Sequence, residues 1–212
     1  ISCDHLAGIN ETEIEDPRPW CEIIRQWSTF HPEFTYLPRK FKIAVTGSPE
    51  DRAAIKVHDI GLKIVKKEKR IGFEVYVGGG QGRSPFIAKK INGFLDKRHL
   101  LNYLEAILSV YNELGRRDNI YKARIKILVN EMGPEKLKEM IEKRFKNFSE
   151  NNLILKDEEI LKIKNFFKLP MNNPIKSKIQ DNESIDYKHW LKQNIKKHKV
   201  NGFSIVFISL KA

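Results

Sequence analysis

Two neighbouring apolar runs, at residues 60–65 and 71–77, constrain the fold of this chain most strongly. Five charged residues separate them, Lys66-Lys-Glu-Lys-Arg70, so the sequence predicts a β-hairpin with a charged turn. Residues 40–45 alternate between polar and apolar side chains ahead of a Gly-Ser-Pro loop, which is the pattern of a further strand. These segments together predict a small antiparallel sheet.

Helical spacing of apolar residues flanks the predicted sheet. The clearest helix is predicted at 100–114, where Gly115 is well placed to end it. Two more are predicted at 122–132 and 134–148, divided by a Gly-Pro pair, and an earlier one at 16–30 with Asp as its N-cap. We therefore expect an α/β fold of the α+β type, in which a mixed, largely antiparallel sheet packs against helices.

Composition divides the chain into three parts. Residues 1–150 hold the predicted sheet and helices and form a first domain. Residues 151–184 are rich in Asn, Lys and Ser, which is typical of a linker, with at most one short helix. Residues 185–212 begin a second unit, with a short helix at 187–195 and a strand at 202–210 that is rich in Phe, Ile and Val.

The chain is strongly basic, with a formal net charge of +12. Its partners are therefore expected to be anionic. Much of the excess charge lies at 122–199, where lysines alternate with Glu and apolar residues as they do on a solvated helix face. That pattern makes a nucleic-acid partner the less favoured interpretation, and no zinc-finger spacing supports one. No apolar run is long enough to span a membrane.

The cysteines and histidines limit the metal chemistry of the chain. Cys3 and Cys21 are too few for a disulfide framework or for an iron–sulfur cluster held by four thiolates, and we expect both to be reduced and mostly buried. The six His residues show no ligand spacing, so no metal site built from this chain alone is predicted. The lack of a signal-peptide pattern favours the cytoplasm, and the start without Met suggests a piece of a longer protein.

The densest cationic stretch outside the helices runs from Leu37 to Lys42 and contains Arg39. On a strand, Lys40 and Lys42 would share one face with Phe41 on the other, so two ammonium groups would converge on one spot. That geometry suits a small oxyanion, and a lysine of lowered pKa can also supply a proton. Two solvent-facing lysines at the start of an amphipathic strand would fit the same spacing.

A glycine-rich loop follows the predicted hairpin, at Gly78, Gly79 and Gly80, with Arg83 beyond them. Backbone without Cβ atoms can approach an anion closely, with N–H groups and Arg83 as donors. A plain glycine-rich turn explains the pattern equally well. The pair His58-Asp59 would point to opposite faces of a strand, so we interpret it as a structural turn and not as an acid–base pair.

Several stretches, taken in order, resemble the sulfite reductase hemoproteins of the siroheme nitrite/sulfite reductase family. The resemblance covers roughly residues 1–150. The matching stretches are Cys3-Asp-His-Leu-Ala-Gly8, Asp16-Pro-Arg-Pro-Trp-Cys-Glu-Ile-Ile-Arg-Gln-Trp27, His31-Pro-Glu-Phe34, Leu37-Pro-Arg-Lys-Phe-Lys42 and Val77-Gly-Gly-Gly80 with Arg83 and Pro85.

The resemblance implies an assimilatory enzyme that reduces sulfite to sulfide at siroheme coupled to a 4Fe-4S cluster. Lys40 and Lys42 match the active-site lysines of the family, which bind sulfite and help to deliver protons. It also implies that siroheme carboxylates lie near a set of cofactor-binding residues. That set is Arg39, Gly78, Gly79, Gly80 and Arg83.

The resemblance also implies that parts of the family's catalytic site lie outside this chain. The cluster cysteines of the family fall outside it, so the fragment alone is expected to be inactive. Electrons would come from an NADPH flavoprotein or from ferredoxin, and residues 185–212 would open a second ferredoxin-like half-domain. A siroheme nitrite reductase shares these features and stays an alternative. A basic nucleic-acid-binding module is the alternative of another class.

Overall fold

The computed structural model describes residues 1–148, 153–168 and 184–210. After one short strand and one helix, a run of strands is followed by a run of helices and by two final strands. The strands are β1 (Ser2–Cys3), β2 (Ile43–Thr46), β3 (Ile60–Lys67), β4 (Arg70–Val77), β5 (Lys89–Asp96), β6 (Ile195–Lys197) and β7 (Ser204–Val206). The helices are α1 (Arg18–Ser28), α2 (Leu100–Leu114), α3 (Ile125–Met132), α4 (Pro134–Phe148), α5 (Asp157–Phe166) and α6 (Ile185–Asn194).

Five strands form one mixed sheet in the order β1-β2-β3-β4-β5. The pairs β1–β2 and β2–β3 are parallel, whereas the longer ladders β3–β4 and β4–β5 are antiparallel. This confirms the predicted fold class. The predicted hairpin is also present, with register from Ile60↔Val77 to Lys67↔Arg70, although its turn is two residues long and not five.

Strand β2 begins at Ile43, later than the predicted start at Lys40. All four of its residues are buried, because the strand lies inside the sheet and is covered on both faces. Charged side chains therefore cannot extend into it, and Lys40 and Lys42 lie in the segment that leads up to the strand. The prediction that Lys40 and Lys42 share one face of a strand is therefore wrong, because neither residue is on the strand.

Helix α2 is the centre of the core, and its bounds match the prediction. Most of its residues are buried, and it packs against α4 on one side. Helix α1 covers the sheet through Trp20, whose ring meets Phe73 edge-on at 5.1 Å between centroids. Strand β5 was not predicted, since polar residues interrupt its sequence at the exposed edge of the sheet.

The described part of the predicted linker, residues 153–168, packs against α1. Leu155 and Ile160 join the main hydrophobic core, and the short helix expected within the linker is α5. The rest of that segment lies outside the described residues. The division at residue 150 stays a prediction.

The unit at 184–210 pairs β6 with β7 in an antiparallel ladder, of which β6 was not predicted. It contacts the first unit through an isolated bridge between His198 and Asn10 and through the Lys199 backbone N–H, which donates to the Ile9 oxygen at 3.0 Å. Among the described residues, no helix is long and apolar enough to cross a membrane.

Candidate functional site: a cationic cavity at one end of the sheet

A cavity of about 670 Å³ opens at the end of the sheet where β2 and β3 begin and β4 ends. Six of its lining residues are cationic, and none of the lining side chains in the described part of the chain is a carboxylate. The cations are Arg39, Lys40, Arg83, Lys122, Arg124 and Lys126. Such a concentration of one charge in a concave site attracts and holds anions.

Asp59 anchors one of these cations from beneath. Its carboxylate is fully buried and accepts two hydrogen bonds from Arg124, at 3.1 Å from Nε and 2.7 Å from Nη2. It also accepts the backbone N–H of Lys42 at 2.9 Å. A buried carboxylate needs such partners, because burying an unpaired charge is very costly. These bonds support the interpretation of Asp59 as a structural residue. Its role is to hold the Arg124 side chain at the cavity.

Lys126 anchors the loop after the hairpin. Its side chain is buried, and Nζ donates to the backbone oxygens of Gln81 at 2.7 Å and Ser84 at 2.6 Å. Burial, and then the nearby charge of Arg124, lower the pKa of Lys126. The ammonium group clamps both ends of the turn that presents Arg83, whose own side chain is exposed.

The three consecutive glycines pack inside the protein and do not face the cavity. Gly78 has φ +88° and sits against Val129, and a Cβ on Gly80 would lie 2.7 Å from the side chain of Lys126. The N–H groups of Gly78 and Gly80 already donate to the oxygens of Asp59 and Phe86, each at 2.9 Å. These two groups are therefore not available as anion donors.

The structure brings together three of the residues that the sequence singled out, namely Arg39, Lys40 and Arg83. Lys42 is exposed and does not line this cavity, although its backbone is tied to Asp59 beneath it. The roles of these residues, and those of Gly79 and its two neighbours, stay predictions.

Sequence reasoning missed Lys122, Arg124 and Lys126 as site residues, because they fell within a stretch interpreted as a solvated helix face. A signal was present: the three cations alternate with apolar residues just before and at the start of α3. In a regular helix a two-residue period does not follow one face. Here the alternation begins before the helix, in the 3-10 turn Ile120–Lys122 and at Arg124, whose backbone is extended.

The donor chemistry of the cavity fits a ligand that carries several carboxylates or another polyanion. The volume is in the range of roughly 300–1,000 Å³ that is usual for small-molecule and cofactor sites. Guanidinium groups bind carboxylates in a bidentate manner, and three of the six cations are arginines. A four-thiolate cluster does not fit this chain by itself, since its sequence holds two cysteines.

Comparison with known proteins identifies the family. The domain described as "Nitrite and sulphite reductase 4Fe-4S domain" matches residues 1–148, so the chain belongs to this family. Its members use siroheme and a 4Fe-4S cluster. The cationic cavity lies entirely within the matched residues.

Similar proteins divide between two substrates. Sulfite reductase [ferredoxin] 1 of Mycolicibacterium paratuberculosis is 33% identical over 143 residues, which are 67% of this chain and 25% of that protein. The chloroplastic ferredoxin–nitrite reductase of Arabidopsis thaliana is 31% identical over 153 residues, which again are 67% of this chain and 25% of that protein. The sulfite reductase [NADPH] hemoprotein beta-component of Staphylococcus epidermidis is 35% identical over 117 residues, 52% of this chain and 20% of that protein.

A solved structure agrees with the family. The NirA protein of Mycobacterium tuberculosis superposes with a TM-score of 0.65 at 25% identity, covering 96% of this chain and 32% of that one. The chain thus spans about a fifth to a third of the length of the proteins that it matches.

Proposed function

We propose that this chain is part of an assimilatory sulfite reductase hemoprotein, which reduces sulfite to sulfide in a six-electron reaction at siroheme coupled to a 4Fe-4S cluster. The observation that carries the proposal is the cavity, where six cations meet without a carboxylate in the described lining. Siroheme bears eight carboxylates, and a cationic site offsets the cost of burying them. Sulfite is itself an anion.

The proposed roles follow from how each side chain is held. Arg124 lines the cavity and is fixed by buried Asp59, so it would bind a ligand carboxylate through its remaining N–H groups. Arg83 would bind from the loop that Lys126 clamps. Arg39 lies at the cavity beside Lys40. Siroheme, when bound, would supply the electron-transfer centre and the iron at which sulfite is reduced.

Lys40 and Lys42 are the residues we propose to act on the substrate. Neither has a carboxylate partner among the described residues, so each ammonium group is free to bind an oxyanion and to give up a proton. Lys40 lines the cavity. Lys42 lies two residues further along the chain, outside the cavity lining, where Asp59 holds its backbone, and it would act from the edge of the cavity.

A siroheme nitrite reductase is the second candidate, and the similar proteins favour it as directly as they favour the first. Relatives of both kinds lie between 31% and 35% identity. Nitrite is an anion as well, so the charge of the cavity does not separate the two substrates. Of the glycines at 78–80, Gly80 would contribute to the shape of the cofactor site by letting the Lys126 side chain approach closely.

We extend the proposal to the setting of the enzyme. The electron donor would be ferredoxin or an NADPH flavoprotein, the two donors that the names of relatives contain. Residues 185–212 would begin a ferredoxin-like half-domain, with the 4Fe-4S cluster held by cysteines outside this chain. The free thiols Cys3 and Cys21 fit the reducing cytoplasm.

The proposal is tested by expressing the intact protein that contains this chain in a host that makes siroheme, and by recording its visible absorption before and after the addition of sulfite or nitrite. We expect siroheme bands that shift with sulfite more than with nitrite. Lys40→Met and Lys42→Met should reduce the sulfite shift while the bands remain, and Lys69→Met, at the hairpin turn, is the matched control. A folded but colourless intact protein would refute the proposal, and a shift with nitrite alone would establish the second candidate.

A further inference from the structure

Cys3 and Cys21 lie against each other, although they are far apart in the sequence. Cys3 pairs with Val45 in the parallel ladder β1–β2, and Cys21 is on α1, which packs on that edge of the sheet. The Cys21 Sγ atom donates a hydrogen bond of 3.6 Å to the backbone oxygen of Ser2. This oxygen belongs to the peptide bond that links Ser2 to Cys3. Both thiols are partly exposed and free.

The surroundings of the pair give its two sulfurs different character. Hydrogen bonding to Cys21 lowers the pKa of Cys3, and the charge of Arg18 acts in the same direction, while burial and the carboxylates of Asp16 and Asp4 oppose it. The same thiol contact, followed by burial, raises the pKa of Cys21. The Cys21 Sγ also donates a hydrogen bond to the Ser2 oxygen, which keeps the proton on Cys21. Cys3 is therefore the partner that supplies the thiolate, the reactive form of cysteine.

We propose that Cys3 and Cys21 form a site of reversible oxidation, at which a peroxide converts the thiol pair into an intramolecular disulfide. The packing of α1 on β1 supplies the geometry, because the Cys21 Sγ atom lies 3.6 Å from the oxygen of the peptide bond that joins Ser2 to Cys3. A disulfide needs two cysteines whose Cβ atoms lie close together. Partial exposure gives a small oxidant access. Neither cysteine lines the cationic cavity, so the inference is independent of the proposed function.

The chemistry takes two steps. The Cys3 thiolate attacks one oxygen of hydrogen peroxide, so an S–O bond forms, the O–O bond breaks, and the departing hydroxide takes up a proton as water. The Cys21 sulfur then attacks the sulfenic sulfur of Cys3. An S–S bond forms, the S–O bond breaks, and the leaving hydroxide takes the Cys21 proton. Two electrons leave the thiols and reduce one peroxide to two waters.

The disulfide would tie the edge strand β1 to α1. It would form inside one chain, and a thiol reductant such as glutathione would reverse it. The sequence predicted two reduced and mostly buried thiols, but both cysteines are only partly buried.

The test is mass spectrometry of the folded chain after exposure to hydrogen peroxide. The wild-type chain should lose the mass of two hydrogen atoms and become resistant to iodoacetamide at both cysteines, and reduction should restore both reactions. Cys21→Ser removes the second thiol, so it should stop at a Cys3 sulfenic acid that dimedone traps. Cys3→Ser is the matched control, and its Cys21 should stay alkylatable at the same peroxide dose.

Circular dichroism should first show that each variant is folded, and Cys21→Ala replaces Cys21→Ser if the latter is not. Two folded-state results would overturn the proposal. One is a wild-type chain that keeps two alkylatable thiols after peroxide. The other is a disulfide that joins two chains and leaves the monomer unbridged.

Discussion

The two ends of the central hairpin both carry positive charge, but they hold it in different ways. At the end where β3 begins, Arg124 is bonded to buried Asp59 and Lys126 to two backbone oxygens. At the other end, about 23 Å away along the eight residues of β3, four cations surround the turn. They are Lys66, Lys67, Lys69 and Arg70, all exposed.

The cations at the turn have no carboxylate partner among the described residues. Two of them, Lys67 and Arg70, lie over the ring of Phe94, at 5.2 and 5.8 Å from its centroid. They are exposed to solvent, whereas two of the cavity cations, Arg124 and Lys126, are fixed by buried partners. The comparison teaches that charge alone does not distinguish the two ends of the hairpin. Anchoring of charged groups by buried partners does, and it is why we propose the cavity as the binding site.

Asp59→Asn should have the largest effect on stability. It leaves the Arg124 guanidinium without its buried counter-charge, and breaking a buried pair costs about 3–5 kcal/mol. Urea unfolding measures the change. The matched control is Asp118→Asn, which breaks an exposed pair with Arg116 and should cost less than about 1 kcal/mol. Equal losses from the two variants would show that Asp59 is not a special anchor.

Lys126→Met should have the next largest effect. It keeps the buried aliphatic stem but removes the donor to Gln81 and Ser84, at a cost of about 1–3 kcal/mol. Hydrogen exchange should rise in the loop that carries Arg83, while the hairpin turn at the far end stays unchanged. Unaltered exchange in the loop would mean that the clamp does not hold Arg83.

Glu68→Gly should have a smaller effect, and a stabilising one. Glu68 takes φ +56° at the hairpin turn, which costs a non-glycine residue roughly 1–2 kcal/mol. Glycine removes that strain but loses about 0.5–1 kcal/mol of chain entropy, so a net gain of about 0.5 kcal/mol is expected in thermal or urea unfolding. Lys69→Gly relieves no positive φ and should destabilise, and a gain from both variants would contradict this explanation.

The fold was predictable wherever the pattern is local. Helix α2 and the hairpin follow from the spacing of their apolar residues, which the core then buries. Strand β1 is two residues long, too short to show any period, and it depends on pairing with β2. Strand β5 is longer, but polar residues interrupt its apolar pattern. They are tolerated because β5 lies at the edge of the sheet, so this strand also depends on its pairing.

The site was predictable only in part, because its anchors are distant in sequence. Arg39 and Lys40 could be identified from the sequence because several basic residues lie close together there. Asp59 and Arg124 are 65 residues apart and meet only in the folded chain. Cys3 and Cys21 meet in the same way, through the packing of α1 on β1. Pairings of this kind carry no local signal.

The most direct test of the central claim is a titration of the chain with siroheme, followed by visible absorption, in the wild type and in two matched variants. Arg83→Gln and Arg70→Gln each remove one exposed guanidinium, the first at the cavity and the second at the hairpin turn. We expect Arg83→Gln to weaken binding about tenfold or more, and Arg70→Gln to leave it unchanged, because a charge-assisted hydrogen bond contributes about 1.5–3 kcal/mol. Equal weakening by both variants, or unchanged binding by Arg83→Gln, would contradict the claim that the anchored cavity is the binding site.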